Sequence, residues 1–322
     1  MNNHLLNHFN LLILNFNFYK MVFKQKLFTL LVVLATSAKL AIAQDVDLFK
    51  SQDEQDKKDK LSQTDYITAT FKTTRMVNGQ SIENVGEGIL DVKVSHRFGT
   101  LSQGSYGLWG LDAATMRIGL DYGITNGLMV GVGRTNGGLF DGFAKWRLLR
   151  QSTGKVNMPI SVSLSGGAIW NGQKVTNPVE NNSTDRFNYS GQILIARKFN
   201  DYVSLQVVPT IVHYNSVAKS TLPNDYFSVG FGGRLRLTKR VNLTAEYYPQ
   251  ITKKEGTTNS FSLGFDIETG GHVFQFHFTN STGMDDRSFI EETKDSWNST
   301  RGIHFGFNIA RVFKIVEPKA VK

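Results

Sequence analysis

From about residue 89 to residue 313 the chain repeats segments of about ten residues in which apolar and polar side chains alternate. Successive side chains of a strand point to opposite faces, so each such segment has one apolar and one polar face. Ile160, Val162, Leu164, Ala168 and Trp170 oppose Ser161, Ser163 and Ser165. Phe261, Leu263, Phe265 and Ile267 oppose Ser262, Gly264, Asp266 and Glu268. The same alternation runs through Leu90–Phe98 and Val241–Tyr247. A soluble sandwich alternates too, so the connections must discriminate.

The pattern predicts strands over residues 88–98, 113–123, 127–135, 138–149, 159–170, 187–199, 202–214, 225–237, 241–250, 259–269, 272–280 and 302–314. Counted upward from the periplasm, the descending strands end in short turns at Ile124-Thr125-Asn126, Asn200-Asp201, Thr238-Lys239-Arg240 and Gly270-Gly271. Three of these carry the Asn, Asp or Gly that tight turns favour. The ascending strands end in longer loops: Gly99–Asp112, Asn171–Arg186, Asn215–Asn224, Ile251–Thr258 and Ser281–Arg301. Asn136-Gly137 and Arg150–Met158 depart from the alternation of short and long. Such a series implies an all-β chain, a transmembrane antiparallel up-and-down barrel of about 12 strands over residues 88–314, with both termini in the periplasm.

Apolar residues make up 40% of the chain and mean hydropathy is slightly negative, which argues against a helical membrane bundle and suits a barrel with one apolar face. Aromatics near strand ends on the apolar parity, among them Phe98, Tyr122, Trp170, Tyr247, Phe278 and Phe313, fit girdles at the two membrane interfaces.

The N-terminal region adds an export signal. Lys24 and Lys26 precede the apolar run Leu27–Ala35, and Ala41-Ile42-Ala43 supplies small residues for cleavage before Gln44. Residues 21–43 therefore read as a signal peptide, residues 1–20 as an upstream mis-start, residues 44–87 as a periplasmic N-terminal segment and residues 315–322 as a periplasmic tail. Losing the leader removes four lysines and no acids, so the net charge falls from +9 to +5. No basic face points to nucleic acid. The run Asp53–Lys60 reads as a solvated periplasmic segment, and Tyr66–Glu87, with a turn at Asn78-Gly79, as a hairpin leading into the barrel. There is no cysteine, so neither a disulfide nor a lipid-anchored Cys is available.

Several runs carry a family resemblance: Ser95–Gly99, Arg117–Ile124, Asp141–Phe143, His272–His277, Thr279–Ser281 and His304–Ile309. With them the chain resembles an outer-membrane β-barrel family of Bacteroidota-type bacteria known only as a domain of unknown function. The resemblance covers most of the chain after Tyr66. It implies a barrel in the cell outer membrane and no catalytic residues. Outer-membrane lipid, lipopolysaccharide and the barrel-assembly machinery are the partners such an address implies. The tail Lys314–Lys322 departs from barrels that end on an aromatic residue.

Candidate functional residues follow from inward parity. Lys145, Arg147, Lys198, Arg234 and Arg236 fall near the periplasmic end, alongside Asp91, Asp121, Asp266 and Glu268. They read either as a charged constriction favouring anions or as a salt-bridge network closing a narrow barrel. His277 and His304, with Asp285, Asp286, Glu291 and Glu292 between them, offer metal-ligand chemistry, or simply polar lining of a wet lumen. Ser is plentiful and His96, His213 and His272 face outward, but no spacing marks a hydrolase triad. Gly131-Val132-Gly133 lies within a strand, so it is no phosphate cradle. The expectation is a porin-like channel or binder for a small polar solute, with no cofactor, no metal and no catalytic role. The alternatives are a closed barrel whose long loops bind a partner or glycan, and an outer-membrane hydrolase.

Overall fold

Fourteen strands and one short α-helix follow from these segments in a computed structural model that describes residues 62–173, 183–217, 221–298 and 302–317. The leader, the run Asp53–Lys60 and the end of the tail lie outside the described residues, as does part of the Asn171–Arg186 loop. In chain order the strands are β1 (Thr64–Tyr66), β2 (Ile89–Thr100), β3 (Ala114–Gly123), β4 (Leu128–Thr135), β5 (Leu139–Leu149), β6 (Ser152–Gly154) and β7 (Ser161–Asn171). They continue as β8 (Phe187–Lys198), β9 (Val203–Tyr214), β10 (Asp225–Arg236), β11 (Val241–Tyr248), β12 (Ser260–Thr269), β13 (His272–Thr279) and β14 (His304–Lys314). The helix α1 (Asp286–Glu291) interrupts the last outer loop.

All but β1 and β6 close into one antiparallel barrel, each strand beside its sequence neighbour and β14 sealed against β2. The twelve strands inferred from alternation coincide with these to within two residues at every end. Pairing keeps like faces together: on β12 and β13, Leu263 lies opposite Phe278 and Phe265 opposite Phe276, while Asp266 lies opposite Gln275. At the sharpest inner turn, Gly270 and Gly271 adopt φ of 41° and 116°, which other residues resist.

Outward-facing Ile118, Leu120, Val132, Trp146, Phe231 and Phe265 remain exposed around the wall. A continuous apolar belt of this kind is a lipid-facing surface. The inner wall is polar, with Arg97, Arg117, Asp121, Lys145, Gln206 and Glu246 all buried.

What buries them corrects the periplasmic placement of residues 67–87, while residues 44–61 lie outside the described residues. The chain is clipped at the inner end by β1 against β6, then residues 67–88 run inside the barrel. Phe71, Met76, Val77, Ile82 and Val85 are buried there. The segment folds back on itself as a hairpin, with Met76 N–H donating to the Gly79 carbonyl at 2.8 Å and Ser81 N–H to the Thr74 carbonyl at 2.9 Å. The physical reason is an apolar patch on the lumen wall: Leu194, Ala196 and Val208 pack with Phe71, Met76 and Ile82, and Met129 and Phe143 with Val85. Apolar side chains that the periplasm would leave in water are buried here.

Candidate functional site

The hairpin tip is a ring of backbone N–H groups around one carboxylate. Glu246, on β11, accepts from the N–H of Val77 at 3.2 Å, Asn78 at 2.8 Å and Gly79 at 3.1 Å. Successive N–H groups in a tight turn form an anion-binding nest, and here the anion belongs to the wall. Arg97 donates to the Asn78 side-chain oxygen at 2.7 Å and to Asn308 at 2.9 Å. Gln275 donates to the Met76 carbonyl at 2.6 Å, and Asn308 to the Val77 carbonyl at 3.0 Å. Tyr248 lies so close that a Cβ at Gly79 would overlap its hydroxyl, which restricts that turn position to glycine.

The two legs are held in the same manner. Lys145 donates to the carbonyls of Ser81 at 2.8 Å and Glu83 at 2.7 Å, and Gln206 to that of Gln80 at 2.8 Å. Thr74 donates to Asp121 at 2.9 Å. Near the inner mouth Arg234 donates to the Ala69 carbonyl at 2.8 Å, Lys72 pairs with Glu268 at 2.6 Å, and Lys198 reaches the Thr68 carbonyl at 3.3 Å.

Most residues of the inward charge cluster therefore hold the hairpin. Arg147 and Arg236 do not: they donate to the carbonyls of Asn126 and Thr238 at the inner turns. Asp266 accepts from Thr244 at 2.6 Å and Gln275 at 2.9 Å within the wall. Asp91 and Asp121 share Lys93 at 2.5 and 2.6 Å. Glu246, Arg97, Gln206, Gln275 and Asn308 were not singled out by the sequence. Parity places each inside, but only the threaded hairpin gives them a common partner.

The outer end is closed by the loop between β13 and β14. Asp285 caps α1 by accepting from Ser288 N–H at 3.1 Å, a standard N-cap role. Asp286 accepts from Ser190 on β8 at 2.9 Å, and Gln250 donates to the Ile290 carbonyl at 2.8 Å. Phe289 meets Tyr248 edge-on, 5.0 Å between ring centres. Burial raises the carboxyl pKa of Asp285 and Asp286, and that of Glu291 to about 7. The two histidines are not opposite each other: His277 pairs with Gly306 and His304 with Thr279. The His304 ring contacts the Phe98 carbonyl at 2.8 Å and Asp295 at 2.9 Å, tying the loop to the wall. Among the described residues no group of three or more His, Cys, Asp or Glu is arranged to hold a metal.

A family profile described as a membrane-bound beta barrel domain (DUF5777) matches residues 71–313. The chain belongs to that family. The match begins inside the hairpin, so most of the lumen segment is part of the family's domain. A membrane-bound β-barrel of this kind resides in the outer membrane. Among solved structures the chain resembles the NanC porin at 9% identity and TM-score 0.45, covering 70% of this chain and 100% of that one. It also resembles the KdgM porin at 9% identity and TM-score 0.43, covering 70% and 99%. The COG4313 outer membrane channel from Pseudomonas putida F1 follows at 11% identity and TM-score 0.39, covering 72% and 98%. No curated protein matches the chain.

Proposed function

We propose that the barrel is a porin-like conduit for small polar solutes, closed at rest by its own N-terminal hairpin and by the α1 loop. One observation carries this reading: outside the apolar patch that receives the hairpin the inner wall is polar, and the hairpin satisfies only part of it. Ser163, Gln192, Ser204, Asn242 and Ser260 are buried with side-chain polar atoms that have no partner among the described residues. A lumen sealed for good would pair such groups or replace them with apolar ones. A wall built for water and polar solutes leaves them available. The hairpin is also joined to the wall mainly by side-chain-to-backbone hydrogen bonds rather than by strand pairing, so it can leave without breaking the barrel ladder.

A lock tests this. The chain has no cysteine, and a Cβ at Gly232 would sit against the Met76 side chain, so Met76→Cys with Gly232→Cys places two thiols within disulfide reach. In planar bilayers the reduced form is expected to open intermittently and the oxidised form to stay shut. Silence from the reduced, folded protein and also from Glu246→Ala would overturn the conduit. It would favour a second reading, supported by the filled lumen: a closed barrel whose outer loops bind a partner.

A further inference from the structure

At the outer mouth a cavity of about 700 Å³ opens between the ends of β3–β5 and the loop that carries α1. Hydroxyl and amide groups dominate its lining, including Thr115, Thr135, Asn136, Thr257, Ser281 and Thr282, with only Leu139 and Met284 as sizeable apolar members. Most of its charges are already engaged. Lys254 pairs with Glu292 at 3.3 Å, Asp295 with His304 at 2.9 Å, and Asp285 accepts from Ser288. Glu255 and Lys294 are exposed and opposite in sign. The Thr135 hydroxyl, on a residue only 4% exposed, has no partner among the described residues.

We infer that this vestibule binds a neutral polyhydroxylated solute, of the chemistry of a short oligosaccharide. The inference rests on the conduit reading and names the solute class that conduit admits. Cavities of this size are typical of small-molecule sites. One in which uncharged donors and acceptors predominate matches alternating hydroxyls, and with four of its six charges engaged and the other two, Glu255 and Lys294, opposite in sign, it favours neither an anion nor a cation. Such a site is specific because each polar group left unpaired is costly. Ser288 of α1 and the flanking Asp285 and Glu292 line it, and α1 touches the hairpin: Asp286 lies 4.0 Å from Arg75. The Tyr248 ring also stands against both Phe289 and Gly79. A solute seated beside α1 therefore bears on the segment that shuts the lumen from the other side.

The test is calorimetric titration of the refolded full chain in detergent with neutral trisaccharides of glucose, mannose and galactose, and with trigalacturonate as the charged comparison. At least one neutral trisaccharide is expected to bind, and trigalacturonate at least tenfold more weakly. Thr135→Val, and independently Thr282→Val should the first variant not fold, are expected to weaken the neutral ligand about tenfold, while Lys253→Ala, on the β11–β12 loop but outside the lining, leaves it unchanged. Absence of binding by all three neutral sugars, tighter binding of trigalacturonate, or indifference of both threonine variants would overturn the site. Conductance of the reduced lock variant is read in parallel. A conducting barrel that binds no sugar defeats this inference alone, whereas sugar binding by a barrel that never conducts defeats the conduit.

Discussion

Glu246 is a buried carboxylate whose three hydrogen bonds in the hairpin all come from backbone N–H groups. That makes it, together with Lys145, a principal point of attachment between wall and plug, since hydrogen bonds to a charged group contribute about 1.5–3 kcal/mol where neutral ones contribute about 1. Lys145 plays the opposite role, a buried cation among carbonyls. Neither pairing resembles the anion filter that the sequence alone suggested for Lys145 and Arg234; the cations meet peptide carbonyls instead. Glu246→Ala leaves three N–H groups unsatisfied and is expected to raise the population of unseated hairpin by about tenfold to a hundredfold. The measurement is the open probability of single channels relative to wild type. An unchanged open probability would remove Glu246 as an anchor.

At the scale of elements, the barrel strands and the hairpin's turn at Asn78-Gly79 were legible, and the hairpin's place inside the lumen was not. Strands announce themselves by period two, and the pairing of Leu263 with Phe278 or Asp266 with Gln275 only completes what parity had assigned. Residues 67–88 have no such period, because their burial is set by a wall that surrounds them on every side. One signal was present: β8 and β9 carry apolar residues on both parities, at Ile193-Leu194-Ile195-Ala196 and Val207-Val208. An inward Leu194 or Val208 in a wet lumen needs an apolar partner inside, and Phe71 and Ile82 supply it. The helix α1 was equally hidden, since its six residues are too short to show periodicity. Its seating depends on pH. Burial pushes the Glu291 carboxyl up to about 7 from an ordinary 4.5, with Lys254 opposing and Glu292 adding to the rise. Below 4.5 the group is protonated whether the loop is seated or free. Between 4.5 and 7 only the seated loop keeps the proton, so seating weakens as pH rises and is weakest above 7. Asp285 and Asp286 act in the same sense. A nitroxide on Thr282→Cys is expected to gain mobility from about pH 5 to about pH 8, and Glu291→Gln to flatten most of that rise. Equal pH response in both proteins would rule Glu291 out.

For the whole molecule the decisive property is that two structures share one space without sharing a ladder. The barrel closes through its own twelve strand pairs, β14 on β2 included. The hairpin enters through the β1–β6 clip and pairs only with itself, through the bridge between Arg75 and Gln80. Barrel closure removes every free edge, so the wall needs no contribution from the plug to its backbone hydrogen bonding. Deleting residues 67–87 is therefore expected to leave a folded barrel, recognised by heat-modifiable gel mobility, while converting intermittent openings into steady conductance. The exposed wall of that variant carries both signs, with Lys93, Arg97 and Lys145 facing Asp91, Asp121 and Glu246. Its current should accordingly show little preference between potassium and chloride, because opposed charges on one wall cancel at the distance of a hydrated ion. Loss of the heat-modifiable form would mean that the hairpin is the barrel's core rather than its gate. A strongly anion-selective current would mean that the cations alone set the field along the opened lumen.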